Sequence, residues 1–441
     1  MNRLKASSLS GAAHRIREID PIHVYGKVVG VAGLTIEATG PSLRIGDLCY
    51  IENQVRSERV AVEVVGFRNS RLLLMSLGDM NGIGPGSLLM PTHKPQTIPV
   101  GPELLGRVIR SNGAPLDGGP PVDASEKRPL VASPPAPLER RRITEPIATG
   151  IRAVDACVTC GKGQRMGIMS GSGIGKSKML GMVARNTNAD VNIIALIGER
   201  GKEVREFIEG DLGPDGLARS VVVVATSDEP ALLRIRGAYA AVTIAEWFRD
   251  HGVDVMLMMD SITRLAMAQR EVGLAVGEPP TTKGYPPSVY GMLSRFLERA
   301  GTSPCGSITG MYTVLVEADD INDPVGDAVR SFLDGHVVLS RSLASRNHYP
   351  AVDVLESVSR CMADVTPEEH QELAGRIRRL LAVYRDAEDL VNIGAYAPGS
   401  NREIDEALRL MPAIRSFLQQ GLYEKSPFEE IVGLMRQTLK G

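Results

Sequence analysis

The chain has 441 residues, of which 43% are apolar, and its 50 basic and 52 acidic side chains leave a net charge of −2. That length exceeds what one ordinary core can fill, so two or three domains are expected. The near-neutral balance gives no support for a nucleic-acid or acidic-substrate partner.

In chain order, residues 1–20 carry Arg3, Lys5, Arg15 and Arg17 but no apolar core, so no secretory signal is expected. Leu4, Leu9, Ile16 and Ile19 are spaced loosely for one helix face, open either to helix formation on a regulator or an anionic surface, or to a frayed terminus. From about Val24 to Met90 short alternating β-rich runs (25–29, 34–38, 60–65 and 71–75) are separated by turn signals such as Thr39-Gly-Pro and Asn81-Gly, which predicts a small antiparallel barrel. Proline-rich connectors follow at 91–102 and 115–146, with no regular element expected across most of the second. Beyond Gly150 buried-type strands (165–169, 192–197, 220–225, 253–259 and 308–316) alternate with helical patterns (176–185, 201–209, 231–249, 287–300 and 324–333). This texture predicts an open α/β sheet with its ligand at the carboxyl ends of the strands. After about Ala363 the strands stop, and 367–388, 402–418 and 427–439 read as a terminal helical bundle.

The chemistry is concentrated in Arg165-Met-Gly-Ile-Met-Ser-Gly-Ser-Gly-Ile-Gly-Lys176-Ser177-Lys178, a strand, a glycine-rich turn and a helix start. Gly171, Ser172, Gly173, Ile174 and Gly175 would curl around a phosphate, with backbone N–H groups and the positive helix end converging on it. Lys176 is suited to β- and γ-phosphates and the Ser177 hydroxyl to Mg²⁺, with Lys178 beside them. Ser170 stands where the strict pattern has its first glycine. A second strand ends in Gly198-Glu199-Arg200, where a carboxylate could orient an attacking water and a guanidinium could bind phosphate oxygens. A solvated turn pair is the alternative there. A third strand is apolar until Asp260, which suits a Mg²⁺–water site or, alternatively, a structural cap. Loop, polar strand end and acidic strand end occur in the order a nucleotide hydrolase requires. Five scattered cysteines suit a reducing compartment, and Cys157-Val-Thr-Cys160 lacks a second pair for zinc, leaving packing thiols as the expectation and metal or redox work as the alternative.

From about residue 22 onward the chain resembles the RecA-like subunits of rotary F- and V-type ATPases, and most closely the ATPases of type III protein export. The resemblance rests on Gly198-Glu-Arg-Gly201, Asp260-Ser-Ile-Thr-Arg264, Ala266-Met-Ala-Gln-Arg-Glu271, Gly277-Glu-Pro-Pro-Thr-Thr-Lys-Gly-Tyr-Pro-Pro-Ser-Val289, Leu333-Asp-Gly-His336 and Tyr349-Pro-Ala-Val-Asp353 with Ser357-Val-Ser-Arg360. It implies a flexible segment 1–20, a β-barrel domain 21–95, a RecA-like P-loop ATP-binding domain 96–363 and a helical domain 364–441. It implies Mg-ATP hydrolysis by a homohexamer in which Tyr349 stacks on adenine and Arg360 is a finger inserted into the neighbouring copy's site. Partners implied are a peripheral-stalk-like regulator at the N-terminus, a coiled-coil central stalk, a membrane export gate, and export substrates with their chaperones, at the cytoplasmic face of the inner membrane. The 277–289 loop is expected to face a ring axis, with a rigid connector as the alternative. The stretch 396–405 lacks the acidic run that touches the rotor in rotary relatives. Blocks 231–239, 244–250 and 323–330 favour the flagellar branch; an injectisome ATPase, a rotary synthase subunit and an RNA translocase are the alternatives.

Overall fold

The computed structural model describes residues 24–52, 58–171, 173–316 and 323–440. The segment 1–20 and Ser172 of the glycine-rich turn lie outside the described residues. Two compact units form, one within residues 1–96 and one within 97–441. In the first, antiparallel strands close into a barrel in the order Gly26–Ala32, Thr35–Thr39, Arg71–Ser76, Arg59–Arg68, Leu48–Glu52, Leu88–Pro91. Alternate side chains point inward, so Val28, Ile36, Val62, Val64 and Leu74 meet Cys49, Ile51 and Leu89 in its middle. Leu48–Glu52 and Leu88–Pro91 escape the sequence reading because each is short, and the second ends in a proline.

The second unit is built on a nine-stranded sheet. Its path runs Val352–Ser359, Gly335–Leu339, Arg165–Ser170, Ser307–Leu315, Asp254–Asp260, Val191–Ile197, Ser220–Ala225, Val108–Arg110, with Gly301–Thr302 paired to Ser307–Leu315. Neighbours on the path are parallel, except that Val352–Ser359 runs antiparallel to Gly335–Leu339. The middle strands are buried along their length, as in Val191–Ile197, because helices cover both faces. That double burial is why their sequences read as continuous apolar runs. The strand expected at 253–259 and closing on Asp260 runs over Asp254–Asp260.

Three strands on the path of the sheet escape the sequence reading, Val108–Arg110, Gly335–Leu339 and Val352–Ser359, as does the long helix Ile262–Val276. The helix expected over 201–209 is regular only over Gly201–Glu206 and then widens over Phe207–Leu212. The two proline-rich segments are not wholly irregular, since Thr97–Val100 pairs antiparallel with Glu126–Pro129. At the end of the chain the helices Glu368–Asn392, Arg402–Leu418 and Ile431–Thr438 pack onto the core. Ile377, Leu380, Leu410 and Ile414 share one apolar cluster with Val154, Met166 and Val352.

A buried ion pair pins the helices behind the sheet. Arg299, 1% exposed, donates to the Glu246 carboxylate at 2.8 and 2.5 Å, to the Leu130 carbonyl at 2.7 Å and to Thr243 Oγ1 at 3.0 Å. Removing one member leaves the other charge buried and uncompensated, which costs about 3–5 kcal/mol. Glu246→Ala should therefore lower stability by that amount in urea unfolding followed by the fluorescence of the neighbouring Trp247. A loss below about 1 kcal/mol would show that water reaches Arg299.

Candidate active site

The turn after Arg165–Ser170 is tight because Gly173 and Gly175 adopt φ of +79° and +98°. Such a conformation costs a residue with a Cβ about 1 kcal/mol or more. Gly175 then starts the helix Lys176–Asn186. Ile174 is buried, and Ser170 at the base of the turn is 2% exposed with no hydrogen-bond partner for its hydroxyl among the described residues.

The strand carrying this turn lies two places from Asp254–Asp260 in the sheet, with Ser307–Leu315 between them. Lys176 spans that gap. Its ammonium donates to Asp260 Oδ1 at 2.5 Å and to Glu199 Oε1 at 3.2 Å. The intervening strand contributes Thr313, whose hydroxyl donates to the same Asp260 oxygen at 2.8 Å. Gly198, at φ +71°, precedes Glu199, and a Cβ there would lie 2.8 Å from Arg264 Cβ. The carboxyl ends of three strands and one helix start are thus drawn to one point.

The electrostatics follow from burial. Desolvation presses the Lys176 ammonium toward neutrality, yet Asp260 and Glu199 outweigh it and raise its pKa above the ordinary lysine value. Burial raises the pKa of Asp260, with Lys176 opposing. Burial and then a hydrogen bond with Glu203 raise that of Glu199, again against Lys176.

Other expected site residues lie in different places. The Tyr349 ring borders the turn, its carbons coming within 3.7 Å of a Cβ built on Gly175. The Arg200 side chain is 80% exposed and pairs with Glu203 at 3.9 Å. Lys178 turns to Asp211, at 2.6 Å. Ser177, the second residue of the helix, is partly exposed. Arg360 is exposed and lines a cavity of about 270 Å³ with Asp327, Arg330, Ser331 and His336. Its amide bonds to Asp334, whose carboxylate holds Arg165 at the start of the loop-bearing strand. That is the opposite edge of the sheet from the glycine-rich turn, roughly 15–20 Å away along the strand.

Arg264 has no role in the sequence reading beyond its place in the Asp260–Arg264 block. Its stem crosses Gly198, and its buried Nε has no hydrogen-bond partner among the described residues. The signal was a cation one helical turn after the acidic strand end. The Cys157 and Cys160 thiols are both buried, which pushes Cys157 up to about 12 and Cys160 higher still. Among the described residues no cluster of His, Cys, Asp or Glu is arranged to hold a metal by itself, and no helix is long and apolar enough to cross a membrane.

Sheet, glycine-rich turn, lysine and acidic strand ends define a RecA-like P-loop nucleotide hydrolase. Residues 150–359 match the ATP synthase alpha/beta family nucleotide-binding domain, and 366–437 match the T3SS EscN ATPase C-terminal domain. The flagellum-specific ATP synthase of Bacillus subtilis (strain 168) is 51% identical, covering 95% of this chain and 96% of that protein. The type 3 secretion system ATPase of Xanthomonas euvesicatoria is 49% identical, covering 93% of each. The assembled ATPase EscN of the enteropathogenic E. coli type III secretion system superposes with a TM-score of 0.89 at 43% identity, covering 94% of this chain and 100% of that one. The chain belongs to the family of flagellum-specific and type III secretion ATPases, and is an ATP-hydrolysing enzyme with an N-terminal barrel and a C-terminal helical domain.

The Lys176 pair makes a stability prediction. Without the ammonium, Asp260 and Glu199 hold their protons to still higher pH in the folded chain, while the unfolded chain releases them near the ordinary carboxylate range. An acid with a raised folded pKa stabilises the fold least above that range, so stability is lost as pH rises. The stability gap between Lys176→Ala and the wild type should therefore widen as pH rises above the ordinary carboxylate range, by about 1.4 kcal/mol per unit of added shift. Urea unfolding over a series of pH values measures it, and a gap independent of pH would contradict the assignment.

Proposed function

We propose that the chain is a Mg-ATP hydrolase that works as a homohexameric ring and energises type III protein export, each site being completed by Arg360 from the neighbouring copy. The observation that carries this reading is the placement of Arg360. It is exposed, and it sits across the sheet from its own phosphate loop, so it is available to a neighbour's nucleotide and not to its own. The EscN structures of an assembled ATPase, alone and with its central stalk EscO, support a ring and a stalk partner here. Relatives with flagellar and with secretion names fall at 51% and 49% identity, so the two systems are not separated by similarity; the blocks at 231–239 and 244–250 favour the flagellar one.

In this reading the backbone of Gly171–Gly175, Lys176 and the Arg264 guanidinium, whose Nε has no partner among the described residues, bind the phosphates, and Tyr349 stacks on adenine. The Ser177 hydroxyl and the Asp260 carboxylate are hard oxygen donors of the kind Mg²⁺ takes beside phosphates and water, and the ion would neutralise charge on the transferring group. Glu199 orients the attacking water. Arg200, exposed beside Glu199, binds phosphate oxygens, and Lys178 stands beside Lys176 and Ser177 at the start of the helix. The segment 1–20 is assigned to a peripheral-stalk-like regulator, and the domains to 21–95, 96–363 and 364–441. The enzyme would act at the cytoplasmic face of the inner membrane, against an export gate, with substrates delivered by chaperones.

Glu199→Gln should leave ATP binding within about twofold while removing at least about 99% of turnover, as read by fluorescent-nucleotide binding beside phosphate release. Mixing Lys176→Ala chains with Arg360→Ala chains gives a sharper result. Each is inactive alone, but at equal amounts about a quarter of the interfaces in a randomly mixed ring pair an intact lysine with an intact finger. Activity should recover toward that fraction; no recovery in rings whose mixed composition is verified by native mass spectrometry would exclude a finger acting in trans.

A further inference from the structure

Gln420 is 5% exposed and lies just past the helix Arg402–Leu418, yet three of its bonds reach the nucleotide core. Its Oε1 accepts from the Arg152 amide at 2.8 Å, and its Nε2 donates to the Gly150 carbonyl at 2.8 Å and to the Glu424 carbonyl at 2.9 Å. Its own amide donates to the Tyr349 carbonyl at 2.9 Å. One side chain and its peptide therefore hold three segments that are far apart in sequence.

One of those segments borders the site and another abuts the far end of the helix that follows the glycine-rich turn. Tyr349 flanks the glycine-rich turn. Gly150, at φ +71°, lies so close to the last residue of the phosphate-loop helix that a Cβ on it would meet Asn186 Cβ at 2.2 Å. Gly150 is itself fixed from below: Asp155 accepts its amide at 2.9 Å and the Thr149 hydroxyl at 2.7 Å. The Arg152 guanidinium closes the clasp by donating to the Phe417 and Gln419 carbonyls at 3.2 and 3.3 Å and by pairing with Glu424.

We propose that Gln420 is a positioning residue for the nucleotide base: its side chain, bonded to Gly150 and Arg152, fixes the peptide whose amide holds the Tyr349 carbonyl, so that the tyrosine ring is pre-set beside the loop. This rests on Tyr349 being the adenine wall. A half-exposed aromatic ring held by its backbone loses less freedom when a base stacks on it, and that saving appears as affinity. Because Gln420 belongs to the helical end of the chain, the same bond makes base affinity depend on where those helices sit. The phosphate contacts, by contrast, come from the loop itself and do not pass through Gln420.

The test separates base from phosphate by measuring inhibition of the full-length ATPase by ADP and by inorganic tripolyphosphate, which has no base. Gln420→Ala should raise the ADP inhibition constant and the KM for ATP about five- to tenfold, with kcat within about twofold and tripolyphosphate inhibition unchanged. In a Tyr349→Ala background the same substitution should add nothing. Equal weakening of both inhibitors, or a full additional loss in that background, would overturn the proposal. Tyr349→Ala leaving ADP inhibition intact would instead remove the adenine-wall reading on which it rests. Should Gln420→Ala fail to fold, Glu424→Ala, at a half-exposed position of the clasp, should give the same base-selective pattern at about two- to threefold, and a base-independent loss there would overturn it.

Discussion

One ammonium between two buried carboxylates governs the architecture of the site. Asp260 and Glu199 end separate strands of one sheet, and burial alone would press both toward their neutral forms. Lys176 reconciles them, and it can reach them only because the strand Arg165–Ser170 ends in a glycine-rich turn that starts the helix with lysine as its first residue. The same contact explains Thr313. A strand lies between lysine and acid, and its hydroxyl takes up the second direction of the Asp260 oxygen. Under the proposed function, a triphosphate offers Lys176 a stronger partner, and Asp260 is then released to act as an oxygen ligand beside it. The cluster is charged to receive a ligand of the opposite pattern: anion toward the lysine, cation toward the acid.

What was legible in the sequence follows from burial. Strands covered on both faces carry unbroken apolar runs, and those are the ones the pattern locates. Gly335–Leu339 and Val352–Ser359 alternate between buried and half-exposed positions, and Val108–Arg110 has only three residues, so each lacks that signature. The helix Ile262–Val276 was visible only as a motif, although Ser261 caps it with its hydroxyl and Gly277 ends it in a left-handed turn. Lys176, at a helix start, and Glu199 and Asp260, at the ends of strands, stand out in the sequence by their place in the pattern, and the structure brings the three together. Arg200 follows Glu199 at the position before a helix, and its side chain is exposed with a contact to Glu203 at 3.9 Å.

Gln420 had no legible signal. A glutamine amide that joins residues 150, 152 and 349 to the helical end is defined by contacts across as many as 270 residues, and neither composition nor spacing encodes them. The same holds for Arg299 and Glu246, whose pairing fixes the back of the sheet. Local chemistry is readable in one dimension; clasps between distant segments are set by the fold.

The strand Val352–Ser359 ties these themes together. Tyr349 precedes it at the loop edge of the sheet, and Arg360 follows it at the opposite edge. It is held stiffly: Ser357 accepts the Val338 amide at 2.9 Å, and Arg378 of the helix Glu368–Asn392 donates to the Ser357 carbonyl at 3.1 Å. Under the proposed ring, one short strand therefore carries the base wall of its own site at one end and the finger for the neighbouring site at the other. That strand is a continuous hydrogen-bonded element rather than a loop, one physical route by which two sites can be coupled. The helical end grips this strand at both extremities, through Gln420 beside Tyr349 and through Arg378 near Arg360. A force applied to those helices is thus positioned to alter base affinity in one copy and charge stabilisation in the next.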